Sequence, residues 1–255
     1  MEQDGIEGIP TFVVNLPEDQ DRFQIVTSQL DPACFEVRDR IGFLGRSMPD
    51  IVCVQLTRDP KSVINKGALG VMMSHIWIWE RVARLDVPFA LVIEDDVRLN
   101  YPARLATAIL PSEFDLIFCG DQTAPEELSD DPAAPLDCIP AIQSLPALES
   151  RGVSVGAYGY LLSPKGARLL IKFFAEHFYF GHVDVRMLAY CCDLDELKAL
   201  RQTTRVGKEL RVIRQLIGNQ QQLAGYAMVR PLVTHVGMTS RRAREDALGL
   251  TREFS

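Results

Sequence analysis

Ten residues constrain this chain more than any others: Pro88-Phe89-Ala90-Leu91-Val92-Ile93-Glu94-Asp95-Asp96-Val97. The unbroken apolar run through Val92 and Ile93 is the pattern of a strand buried on both faces. It leads straight into three carboxylates, whose mutual repulsion must be offset in a folded chain. A divalent cation would offset it, because hard cations prefer carboxylate oxygen. The position suits a site too, since ligands of open α/β sheets gather beyond the carboxyl ends of strands. A solvated acidic turn after a strand is the other reading of the same residues.

At 255 residues the chain is long enough for one large domain or two small ones with a substantial core. Its net charge of −7 argues against a nucleic-acid-binding surface as its main business. No stretch approaches the ~20 apolar residues of a membrane span. The start, Met1-Glu2-Gln3-Asp4, lacks the basic and apolar regions of a signal peptide, so a cytoplasmic location is expected. The cysteines at 34, 53, 119, 138, 191 and 192 show no Cys-x-x-Cys spacing and indicate neither a zinc site nor a thioredoxin-like motif. Cys53 and Cys119 lie in apolar runs read as strands and behave as small core hydrophobes. The adjacent Cys191 and Cys192 read as helix-packing residues rather than a vicinal disulfide.

The rest of the chain alternates strands and helices. Residues 11–16 read as a strand, followed by a helix that starts near Pro17-Glu18-Asp19 and carries Arg22 to about residue 30. Residues 33–42 and 50–57 look like further strands or extended chain, with Gly42 and Gly45 marking the turn between them. A long helix runs from 65 to about 85. At ~100° per residue its Val71, Met72, Ile76, Ile78, Trp79, Val82, Ala83 and Leu85 form one apolar arc. His75 sits in the middle of that arc, as a core residue or a catalyst, and in either case needs a buried hydrogen-bond partner.

Residues 102–110 read as a short helix and 114–121 as a strand ending at Asp121. Residues 122–150 read as a long proline-rich loop, a mobile cover or an acceptor-side segment. A strand at 154–163 leads through Ser163-Pro164 into a capped helix at 167–176. Another helix opens at 182–188 with Asp184 near its start, where capping is one explanation for the aspartate. Residues 193–217 read as a charged helical arm appended to the core. A last strand, 226–236, carries Pro231 and His235. The basic spot Arg241-Arg242-Ala243-Arg244 is a solvated end or a contact for phosphate or an acidic membrane surface.

Four stretches then form an ordered set. The first is Val13-Val14-Asn15-Leu16 with Asp21-Arg22. The second is Gly67-Ala68-Leu69-Gly70 followed by Ser74-His75 and Trp79. The third is the run at 88–97. The last joins residues 156–167, Gly-Ala-Tyr-Gly-Tyr-Leu-Leu-Ser-Pro-Lys-Gly-Ala, to Val183-Asp184-Val185. Over roughly residues 10–190 this set resembles glycosyltransferase family 25, which includes bacterial lipooligosaccharide galactosyltransferases and collagen-modifying galactosyltransferases.

The resemblance implies an α/β, GT-A-like nucleotide-diphospho-sugar transferase fold, a central mixed sheet flanked by helices. It implies a single domain over 1–255, with a nucleotide half at about 10–120, an acceptor half at about 150–240 and a helical extension at 191–225. Glu94-Asp95-Asp96 would be the family's version of the Asp-x-Asp motif. Asp96 would bind Mn²⁺ or Mg²⁺, and Glu94 would face the ribose or the metal's waters. Asn15, Arg22, His75 and Asp95 would complete the site for the UDP-sugar. His235, from a late strand, is the candidate third metal ligand, or else a histidine hydrogen-bonded within its strand. Inverting transfer needs a base to deprotonate the acceptor hydroxyl, for which Asp184 and Asp121 are the candidates.

The expected activity is transfer of a sugar, galactose from UDP-galactose, to a cell-surface glycan such as lipopolysaccharide or to its lipid-linked precursor. The enzyme would stay in the cytoplasm or at the inner face of the membrane, without a transmembrane segment and without nucleic acid as a partner. The alternatives are a metal-dependent phosphoesterase and a catalytically silent glycosyltransferase-like binding protein.

Overall fold

The computed structural model describes residues 8–57, 66–102, 105, 108, 110–120, 136–151, 155–177, 182–199, 205–218 and 223–236. Seven strands form a mixed central sheet. They are β1 (Ile9–Val14), β2 (Phe35–Ile41), β3 (Ala90–Glu94), β5 (Leu116–Phe118), β6 (Cys138–Pro140), β7 (Gly159–Leu162) and β8 (Gly225–Met228), in the order β2-β1-β3-β7-β5-β8-β6. β1 runs parallel to both β2 and β3, while β7 is antiparallel to β3 and β5. A second, two-stranded sheet pairs β4 (Val97–Leu99) with β9 (Val233–His235).

The apolar run at 88–97 becomes β3, in the middle of the sheet. Residues alternate across a strand, so Ala90 and Val92 enter one core and Leu91 and Ile93 the other. The first core is covered by α3 (Lys66–Val82), α5 (Pro164–Glu176) and α6 (Val183–Cys191). Beneath the opposite face lies Val26 of α1 (Gln20–Thr27), packed with Ile9, Val13 and Ile93. Ser163 caps α5 as its sequence implies, its hydroxyl accepting from the Gly166 N–H at 3.0 Å, with Pro164 in the first turn.

Several expectations are corrected. Residues 50–57 are a helix, α2 (Asp50–Thr57), and not a strand. The β-branched run Ile51-Val52-Cys53-Val54 suggested extended chain, but β2 already forms the sheet edge, and Pro49 and Asp50 suit a helix start. Cys53 is buried from this helix while Ile51 faces out. Helix α3 ends at Val82, short of residue 85, and Val71 lies outside its buried face. The stretch read as a loop to residue 150 contains regular structure at 138–151. It supplies edge strand β6, a 3-10 turn (Ala141–Ser144) and α4 (Leu145–Arg151).

The helices α7 (Leu194–Ala199) and α8 (Arg205–Ile217) do not stand off as an arm. Leu197, Leu210 and Ile213 are buried in the same cluster as Val92 and Tyr160, because α8 is amphipathic; its Arg214 is buried with them. The last strand is two strands in different sheets, β8 and β9, separated by a bend that contains Pro231. Cys191 and Cys192 are free thiols, both buried against the core. The 102–110 helix falls largely, and the basic segment at 241–244 wholly, outside the described residues. Among the described residues no helix is long and apolar enough to cross a membrane.

Candidate active site at the end of the third strand

β3 delivers Glu94 to the carboxyl edge of the sheet, and the chain turns through Asp95 and Asp96 into β4. Each carboxylate of the triplet meets a different neighbour. Asn15 follows parallel strand β1, and its Nδ2 donates to Asp95 Oδ2 at 2.6 Å and to the Asp19 carbonyl at 3.0 Å. Gly42 holds the same corner, since a Cβ there would overlap the Asn15 backbone. Arg22, in the first turns of α1, forks across the turn: its Nη2 pairs with Asp95 Oδ1 and lies 3.1 Å from Asp96 Oδ2.

Burial pushes the Asp95 carboxyl up from 3.8 to about 6, against the pull of the Asn15 hydrogen bond and the Arg22 charge. Desolvation therefore outweighs both favourable partners here.

Asp96 is 7% exposed, and register sets its second partner. Val97 pairs with His235 across β4 and β9, and the Val236 N–H donates to the Asp96 carbonyl at 3.0 Å. This brings His235 Nε2 to 3.4 Å from Asp96 Oδ2. The Tyr158 ring lies against the His235 ring, centroids 5.2 Å apart. The other oxygen, Asp96 Oδ1, is buried without a hydrogen-bond partner. With all three carboxylates ionised, Arg22 offsets only one of three negative charges. That surplus and the orphaned oxygen suit a divalent cation.

Among the described residues no three His, Cys, Asp or Glu side chains gather as a metal cage; Asp96 and His235 are the pair that could contribute ligands to one. A cation carried by a diphosphate fits such a pair, since it keeps phosphate and water oxygens as its remaining ligands.

Glu94 meets the core. His75, fully buried on α3, directs Nε2 to 3.6 Å from Glu94 Oε1, beyond a formed hydrogen bond. Its Nδ1 lies 2.8 Å from the Tyr160 hydroxyl, which also accepts from Trp79 Nε1 at 2.9 Å. Tyr160 of β7 sits opposite Val92, two residues before the triplet begins. Nothing in the apolar run around Tyr160 singled it out in the sequence. The only signal was His75 itself, a polar group on an apolar arc that had to have a partner.

Asp184 lies in the first turn of α6 without capping it. Instead its Oδ2 accepts from the Gly156 N–H at 3.0 Å. Gly156 has φ of +71°, and a Cβ there would run into the Tyr158 ring. The Tyr158 carbonyl in turn accepts from the Glu94 N–H at 2.9 Å. The 156–158 loop thus ties Asp184 to the triplet. Asn15, Arg22, His75, Glu94, Asp95, Asp96 and His235 come together directly, and Asp184 joins them through this loop. Asp121 lies outside the described residues.

The sequence model of glycosyltransferase family 25 (LPS biosynthesis protein) matches residues 9–118. A Bos taurus protein named "Probable inactive glycosyltransferase 25 family member 3" is 34% identical over 124 residues, 45% of this chain and 19% of its own length. "Procollagen galactosyltransferase 1-B" of Xenopus laevis is 29% identical over 116 residues, 43% of this chain and 18% of its length. A "Glycosyltransferase 25 family member" of Drosophila melanogaster is 30% identical over 111 residues, 41% of this chain and 16% of its length. The chain thus spans less than a fifth of the length of these relatives. The family match takes in Asn15, Arg22, His75 and the whole triplet, so the part of the chain that builds the carboxylate edge is similar to glycosyltransferase family 25.

Proposed function

We propose that this protein transfers a sugar, galactose from UDP-galactose, with inversion, to a hydroxyl of a cell-surface glycan such as lipopolysaccharide or its lipid-linked precursor. One observation supports the reading above the others: three carboxylates meet at the carboxyl end of β3, and the single arginine among them leaves two negative charges unbalanced. The name of the Xenopus relative favours galactose.

Asp96 and His235 would hold Mn²⁺ or Mg²⁺, which when bound supplies Lewis-acid neutralisation of the leaving diphosphate. Arg22 fixes Asp95 and Asp96 with respect to each other, and Asn15 anchors Asp95 to β1. Glu94, a quarter exposed at its side chain, presents an acceptor oxygen for the donor's ribose hydroxyls. An inverting displacement breaks the bond from the sugar carbon to the diphosphate as the acceptor oxygen attacks from the opposite face, and its proton must leave with a base. Asp184 takes that role ahead of Asp121. One of its oxygens holds the Gly156 loop, and it is joined to the triplet through that single loop.

A panel of UDP-sugars, each incubated with acceptor extract and Mn²⁺, tests the reading through metal-dependent release of UDP. Release from UDP-galactose above all others is the expected result. The Bos taurus relative's name, with Arg22 already paired to Asp95 and Asp96, favours a second reading in which the site binds a nucleotide sugar without turning it over. That reading gains if UDP-sugar binds and no UDP is released with any acceptor.

A further inference from the structure

The fully buried polar chain Trp79–Tyr160–His75 serves no packing need that apolar side chains would not meet better, since buried polar groups must be paired to be tolerated. Its hydrogen-bond directions can be worked out from donor inventory alone. Indole Nε1–H only donates, so the Tyr160 oxygen accepts from Trp79 at 2.9 Å. Burial raises the Tyr160 phenol far above its ordinary range, so it keeps one proton to donate. His75 Nδ1, at 2.8 Å, is its acceptor.

If His75 carried its proton on Nδ1 instead, two buried costs would follow. The Tyr160 proton would lose its acceptor, and the bare Nε2 lone pair would face the Glu94 carboxylate 3.6 Å away. Both are avoided when the proton sits on Nε2. This Nε2 is buried and makes no formed hydrogen bond, so Glu94 Oε1 is the acceptor it faces.

We propose that Tyr160, held by Trp79, is a positioning residue for Glu94. It fixes His75 as the Nε2–H tautomer, so that a buried N–H is aimed at the first carboxylate of the triplet. The 3.6 Å gap is a resting distance, and a small movement of Glu94 onto the donor nucleotide closes it, as such contacts commonly tighten when substrate binds. The part played by Glu94 in holding the nucleotide rests on the proposed function. The tautomer does not.

The first test is nitrogen-15 NMR of the histidine rings in the full chain without ligand, with His75 assigned by the signals lost in His75→Gln. The proton is expected on Nε2, with Nδ1 bare and hydrogen-bonded, and Tyr160→Phe should scramble the tautomer. A proton on Nδ1, or on both nitrogens, in the unaltered chain overturns the proposal.

The second test is calorimetric affinity for UDP with Mn²⁺. His75→Leu should weaken it about tenfold, the loss of roughly one charge-assisted hydrogen bond. His75→Gln places an amide N–H near the position of Nε2–H and should stay within about threefold of the parent. Tyr160→Phe should behave like His75→Leu. Should it fail to fold, the two His75 variants decide alone, and equal losses in both overturn the proposal. If the unaltered chain binds no UDP, the proposed function fails, while the ring-proton result still decides the tautomer.

Discussion

The two flanks of β3 treat the triplet in opposite ways. On the β1 side, Asn15 and Arg22 meet Asp95 and Asp96 with a short hydrogen bond and a shared guanidinium. On the other side, Glu94 faces His75, which is bonded to Tyr160, and Asp96 faces His235, which lies against Tyr158, with no fixed positive charge among them. The first flank neutralises charge and the second orients it. The difference explains why adjacent carboxylates need not be equivalent: Asp95 is saturated by partners, whereas Asp96 keeps a free buried oxygen.

Asp96 is where the flanks meet, and its loss should have the largest effect. Asp96→Ala is expected to abolish metal-dependent UDP binding while the circular dichroism spectrum stays native. Calorimetry showing undiminished UDP affinity with Mn²⁺ would mean the two flanks do not share a site. Asp184→Asn probes the orienting flank at its far end. General-base loss typically costs ~10²–10⁴ in rate, so turnover should collapse while UDP-sugar affinity is kept. Near-parental turnover would move the base to Asp121.

Arg22→Ala probes the neutralising flank. Its partners are mostly buried but its own side chain is partly exposed, so urea unfolding should show a loss of roughly 2–3 kcal/mol, below that of a fully buried ion pair. If the flank is there to offset charge, saturating Mn²⁺ should recover part of that loss in Arg22→Ala and add less to the parent. Gly156→Ala should cost somewhat less, roughly 2 kcal/mol, from the positive φ and the Tyr158 overlap. Measured in the same urea series, a neutral effect would break the link drawn from Asp184 through the loop to Glu94.

The neutralising flank was the more legible of the two in the sequence. A buried-strand pattern ending in three carboxylates announces itself, and Asn15 and Arg22 stand at the first strand end and in the helix after it. The orienting flank was harder to see because its contacts depend on register. His235 meets Asp96 only because β9 pairs with β4, and Tyr160 looks like any other strand aromatic until β7 is placed beside β3.

The misread elements have the same origin. Ile51 to Val54 carry strand propensity, yet the context makes them a helix with Ile51 exposed. Propensity is a weak prior that tertiary packing overrides. In α8 the charges dominated the reading and concealed Leu210 and Ile213, which the core requires.

Thermal unfolding with UDP-galactose and Mn²⁺, together and separately, tests the central claim most directly. Ligand at ~100 times its dissociation constant adds roughly 2.7 kcal/mol, which for a chain of this size raises the midpoint by roughly 5–10 °C. A rise of that size is predicted for the pair, with little from either component alone, and its disappearance in Asp96→Ala. An unchanged midpoint with every UDP-sugar and metal tried, or the same rise in Asp96→Ala, would contradict the claim that the carboxylate edge of β3 is a metal-dependent nucleotide-sugar site.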